Sequence, residues 1–252
     1  MIRIVNSHKA LWLLLVLLCV GLTSCLGSRD WSYPPQPSGT YLGVTAQQSV
    51  PARLVVLPLK DLRGREVQSE YWRAAIPFIP YGTTAYERPE IAVEPEPVDV
   101  LTFNPTQDFA RALADEVRES AVFSSVTFAE GGNIPPTDFV LRGNLHSTRW
   151  ERNITTYLLG PFGTVFWVLG LPMGNTTTTV GMDLELTPAR DPSKVLWRFT
   201  MEVEWWQWDG PYYGLESAVQ SYPLALQDAL RPAVTDLVEK AETRAKFLLP
   251  EA

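Results

Sequence analysis

From Arg53 onward the apolar positions recur with two periods, and each period predicts a different kind of element. Arg53 to Leu59 (RLVVLPL) is a nearly continuous apolar run ending in Lys60-Asp61, which predicts a short strand buried on both faces. A helix is predicted from Asn104, with Asn104 as cap, Pro105 in the first turn and Gln107 closing a capping box. Phe109, Leu113 and Val117 give that helix one apolar face. Phe123 to Phe128 reads as a short strand ended by Gly131-Gly132. Asp138 to Arg152 alternates, with Phe139, Leu141 and Leu145 on one side and Arg142, Asn144 and His146 on the other. Val180 to Leu186 and Val195 to Trp205 alternate again across the turn Pro188 to Ser193, as a hairpin with one covered face does. The last period is helical, from about Pro223 to Phe247, with Ser221 as cap. Its apolar stripe is Leu226, Leu230, Val234, Leu237 and Ala241, and Pro232 removes one hydrogen bond. The pattern predicts an α+β domain, a single mostly antiparallel sheet with its helices packed on one face.

Two stretches fall outside this scheme. Residues 64–103 are irregular and rich in proline, and include Ala74 to Gly82 (AAIPFIPYG) and an acidic run from Glu87 to Asp99. Tyr157 to Gly174 (YLLGPFGTVFWVLGLPMG) carries no charge and lies between two predicted strands. Its glycines and prolines argue against one membrane-spanning helix. Three readings of 157–174 compete: core folded over the sheet, a loop dipping into a membrane interface, and a surface for a protein partner or a second copy. Leaving five or six large side chains in water forgoes about 1.5–3 kcal/mol each, so something should cover them. The two apolar segments are expected to form one patch, with Phe78, Ile79, Tyr81, Phe162, Phe166, Trp167, Leu169 and Leu171 as candidate contacts to membrane or partner.

At the amino terminus, Arg3 and Lys9 precede Leu11 to Val20, an apolar run too short to span a bilayer. Leu22-Thr23-Ser24-Cys25 follows. The arrangement resembles the signal peptide and lipobox of bacterial lipoproteins. That resemblance implies cleavage after residue 24 and lipid, palmitate among its acyl chains, on Cys25. Leu26 and Gly27 put no aspartate at the second mature position, which in that family favours the outer membrane, here facing the periplasm. Residues 25–50 are rich in Ser, Pro and Gly and read as a flexible tether, leaving 51–252 as the folded domain.

Composition narrows the chemistry. Removing residues 1–24 takes two of 21 basic groups and none of 28 acidic ones, leaving −9, so nucleic acid is not an expected partner. Cys19 leaves with the signal, lipid consumes Cys25, and His146 is the remaining histidine. No cofactor, metal site or catalytic residue is expected from that inventory. Asp61 and Arg63 read as an ion pair at the end of the first strand. Trp205, Trp206 and Trp208 form an aromatic cluster with Tyr212 and Tyr213; Trp205 reads as core, and Trp206 and Trp208 as packing or as an interfacial or binding element.

The lipobox, the apolar strand running into Asp61-Leu62-Arg63-Gly64, and the β-α-β-β-β-α order together resemble YajG-type lipoproteins. A looser likeness extends to the modules of curli-secretion and penicillin-binding-protein activator lipoproteins. The resemblance implies a non-enzymatic accessory domain that binds an envelope partner; self-association is a further expectation from the apolar segments. The segments 64–103 and 157–174 depart from the small members of that group. Two other expectations compete: a subunit of an oligomeric outer-membrane secretion or transport assembly, and an envelope glycan-binding or hydrolysing protein with Asp61 or Glu202 as its acid.

Overall fold

The computed structural model describes residues 31–35, 39–91, 103–130, 134–214 and 218–243. The signal segment 1–24 and Cys25 lie outside the described residues.

A nine-stranded sheet carries the domain, with the two long helices packed on one face. The strands are β1 (Val50–Val56), β2 (Lys60–Asp61), β3 (Val67–Ser69), β4 (Gly82–Tyr86), β5 (Phe123–Phe128), β6 (Phe139–Ser147), β7 (Trp150–Ile154), β8 (Gly174–Pro188) and β9 (Trp197–Asp209). The helices are α1 (Pro105–Glu119), the short α2 (Thr164–Val168) and α3 (Ala218–Thr243). The long β8–β9 hairpin is the spine, paired in register from Gly174↔Asp209 to Leu186↔Trp197. On its other edge β8 meets β6 along one half and β7 along the other, so the sheet divides into two arms. One arm runs β6-β1-β5 with parallel pairing; the other runs β7-β4-β3 with antiparallel pairing. The pairing is mostly antiparallel, as expected.

The apolar stripes close over one face. Phe109, Leu113 and Val117 of α1 and Leu226, Leu230, Val234 and Leu237 of α3 are buried against Leu54, Leu141, Leu145, Met182, Leu184 and Leu186. Each such side chain contributes roughly 1.5–3 kcal/mol by leaving water. The opposite face of the sheet is open and charged: Arg142 and Arg198 grip Glu185, and His146 Nε2 lies 2.5 Å from Asp183 Oδ2. Its Asp183 carboxyl lies below the usual range: burial alone would raise it, and the hydrogen bonds of His146 and Thr200 outweigh that.

Several expectations are corrected. The stretch 64–103, expected to be irregular, contains β3 and β4. Asp138 to Arg152 is two strands, because the chain breaks at Thr148-Arg149 where the neighbouring arm changes. The side chain of Asn104 makes no cap bond; Asp108, not Gln107, closes the box by accepting the Asn104 N–H at 2.7 Å. Ser221 does not cap α3 but lies inside it, its hydroxyl 2.7 Å from Thr178 Oγ1.

The segment expected as a tether packs, where it is described, as a strap along α1 and α3. Trp31 stacks on Phe103 at 5.2 Å and leans on Phe109 at 5.5 Å. Farther on, Tyr33 Oη donates to Glu116 Oε1 (2.5 Å) and Leu42 N–H to Glu116 Oε2 (3.0 Å). Burial pushes the Glu116 carboxyl up. Ala46 N–H reaches Ser120 O at 2.8 Å, at the far end of α1.

Candidate functional site

The uncharged run 157–174 folds into a small unit of its own. Thr155 N–H donates to Met173 O (2.8 Å) and closes its base. Inside, Trp167 Nε1–H donates to Thr155 O (2.9 Å), Tyr157 Oη to Pro172 O (2.7 Å), and the Tyr157 and Phe166 rings meet edge to face at 5.1 Å. Phe166 and Trp167, expected as contact residues, are half-buried and hold the loop together. A turn at Gly160–Gly163 and α2 then present Phe162, Val165, Val168, Leu169 and Leu171 outward. Phe162 is 81% exposed. The reading of this segment as core over the sheet does not hold.

The second apolar segment lies against the first, as expected. Phe78 N–H donates to Leu158 O (2.9 Å), and Thr156 Oγ1–H donates to Ala74 O (2.5 Å). Gly160, at φ +56°, packs so close to Ala75 O and Pro77 that a Cβ there would collide with them. Phe78 stands 87% exposed and Tyr81 is also exposed, while Ile79 is half-buried. Phe78, Tyr157 and Leu158 all sit at positive φ (69°, 57° and 67°), a conformation that costs a bulky residue of order 1–3 kcal/mol. The loops hold these side chains in place at the expense of backbone strain.

A third element completes the surface. The turn after β9 sends Tyr212 Oη to Val168 O (3.0 Å) and Tyr213 Oη to Gly170 O (3.3 Å). Trp206 and Trp208 on the outer side of β9 pack edge to face at 4.8 Å and are both exposed, while Trp205 turns inward. Segments 74–82, 157–174 and 210–214, none bearing a charge, form one apolar end of the domain. Burying Phe78, Phe162, Val168 and Leu169 alone would release about 6–12 kcal/mol at about 1.5–3 kcal/mol each.

Beneath this end the interior is polar. Arg152 Nε–H donates to Thr176 Oγ1 (3.0 Å) and Asp209 Oδ2 (3.1 Å), Thr176 Oγ1–H donates to the same oxygen (2.6 Å), and the guanidinium lies 4.8 Å over the Trp150 ring. Nearby, Arg63 uses all five donors. Nε and Nη2 hold Asp61 (3.0 Å each), Nη1 and Nη2 hold Glu90 (3.2 and 2.6 Å), and Nη1 also reaches Thr148 Oγ1 (2.6 Å). The Arg63 hydrogen bonds hold the Asp61 carboxyl below its usual range. With two carboxylates and a hydroxyl on one buried guanidinium, Asp61, Arg63, Glu90 and Thr148 form a clamp. Glu202 is exposed on β9, where it pairs with Gly181 of β8. Among the described residues no helix is long and apolar enough to cross a membrane.

The fold and this end define an α+β domain with an exposed apolar surface gathered at one end of its sheet. No family model matches the chain, and no curated protein matches it. Among solved structures it is similar to protein XCC0632 from Xanthomonas campestris, of the family DUF330, at TM-score 0.41 and 12% identity, over 81% of this chain and 95% of that one. It is also similar to the PelC dodecamer from Paraburkholderia phytofirmans, at TM-score 0.35 and 14% identity, over 73% and 90%. The hypothetical protein CT253 from Chlamydia trachomatis gives TM-score 0.39 and 11% identity, over 76% and 98%. The functional reading rests on the residues of this chain.

Proposed function

We propose that this protein is a lipid-anchored accessory protein of the bacterial envelope, not an enzyme, and that its apolar end is the docking surface. The observation that carries the reading is the convergence of three uncharged loops on one exposed surface. Lipid on Cys25 keeps the domain at the outer membrane, facing the periplasm, and brings that surface to its target. The finer likeness to YajG-type lipoproteins belongs to the same proposal, supported by the lipobox and by the strand that runs into Asp61 and Arg63.

A photo-crosslinking side chain at Phe78 or Phe162 in whole cells is expected to capture a covering molecule, protein or lipid. The same side chain at Ser193, in the turn at the other end of the hairpin, is expected to react with water. Equal, water-quenched yields at all three positions overturn the reading. Cys25→Ser is expected to move the protein out of the membrane fraction.

A further inference from the structure

The first described residues fix what the apolar end faces. Trp31 packs on Phe103, at the start of α1, and Phe103 stacks in turn on Tyr222, near the start of α3, at 5.2 Å. Tyr222 Oη donates to Thr148 O at 2.5 Å, so the strap enters at the level where β6 gives way to β7. From Thr148 the chain runs six residues to Ile154 and the apolar loops, about 20 Å at strand spacing. In the other direction β8 runs nine residues from Thr179, which pairs with Arg149 O, to Pro188, about 30 Å. Six residue steps separate Cys25 from Trp31, and a fully extended chain of that length spans at most about 20 Å. At full extension that length is enough to bring a lipid on Cys25 to the level of the apolar end, the nearer of the two ends to the Thr148 level.

Resting on lipidation at Cys25, we propose that the occupant of the apolar end is the bilayer itself: the loops enter the interface of the same leaflet that holds the lipid. The outermost side chains are Phe78, Phe162, Val168 and Leu169, without a charge among the residues that carry them. Tyr81, Trp208, Tyr212 and Tyr213 are exposed as well, with Tyr212 and Tyr213 bonded to the Val168 and Gly170 carbonyls; rings with an apolar body and a polar edge settle at the headgroup level. The loops act as a second anchoring element beside the acyl chains, and they fix the domain's orientation, with the charged open sheet face turned along the membrane rather than into it.

The test uses the full chain, processed and lipidated in cells, purified in detergent and reconstituted into phosphatidylethanolamine and phosphatidylglycerol vesicles. Beyond Cys25 the mature chain has no thiol, so Phe162→Cys, Phe78→Cys and Ser193→Cys each place one environment-sensitive fluorophore. Flotation with the vesicles reports the anchor; quenching by nitroxide lipid reports the loops. The expected result is that all three variants float, that emission from positions 78 and 162 shifts to the blue and is largely lost to nitroxide lipid, and that position 193 is quenched by aqueous iodide alone. Flotation with positions 78 and 162 open to iodide overturns the inference and leaves the lipid anchor standing. Flotation with both positions shielded from iodide yet untouched by nitroxide lipid overturns it in favour of a second copy or another protein. Failure to float removes the anchor and the inference with it.

Discussion

The two halves of the β8–β9 hairpin differ in which side chains they bury. Near the turn, Met182, Leu184, Leu186, Trp197 and Met201 face the helices, and Glu185 with Arg198 and Asp183 with Thr200 face solvent. Near the loops, Thr176, Thr178 and Asp209 face inward with Arg152, and Trp206 and Trp208 face outward. The strand pairing is continuous across the change, so backbone geometry does not cause it. The lesson lies in solvation. A sheet end with a polar, hydrogen-bonded interior and an apolar exterior is stable in water only at the cost of exposed area, and gains when that exterior is covered.

The strongest way to break this contrast is to discharge the polar interior. Asp209 is 1% exposed, and Arg152→Met leaves its carboxylate without the guanidinium, a loss of about 3–5 kcal/mol. Denaturant unfolding measures it. Arg152→Met combined with Asp209→Leu is expected to recover most of that loss, because a buried pair replaced by apolar groups of similar volume is often neutral. A single substitution as mild as a surface change would mean that the pair does not organise this end.

Next in size is the control in the other half. Leu184 is fully buried between β6 and the helices. Leu184→Ala is expected to cost about 2–5 kcal/mol, the range for deleting a buried leucine side chain, with vesicle association of the folded fraction unchanged. A selective loss of vesicle association at full stability would erase the distinction between the halves.

The same contrast explains how far the sequence could be read. The alternation at 139–145 and 180–186 was legible because its inward positions are apolar, so burial wrote a period of two into composition. The β7-β4-β3 arm escaped because its inward positions include Thr84 and Arg152, which carry no hydrophobic signal. Ala74 to Gly82 and Tyr157 to Gly174 stood out as uncharged, and their proximity was foreseen. Their exposure was not legible, since an apolar loop in a core has the same composition. The closing role of Tyr212 and Tyr213 depends on two hydroxyls reaching backbone carbonyls more than forty residues away, which no local pattern encodes. Cys25, the residue on which the anchoring proposal turns, lies outside the described residues.

The smallest expected stability effect gives the sharpest comparison. Phe162 is larger than Leu184, yet Phe162→Ser removes a side chain that is already in water. Its cost in unfolding free energy is expected to stay within about 0.5 kcal/mol, as for surface positions away from caps, charges and cavities. The same substitution is expected to weaken the nitroxide quenching of a fluorophore at position 78, because the two side chains enter the bilayer from adjoining loops. A core-sized loss of stability would show that Phe162 is covered within the free protein, and a loss that grew with protein concentration would assign that cover to a second copy. Either outcome would make the apolar end an interior surface, and its likeness to the turn half of the hairpin would then replace the contrast.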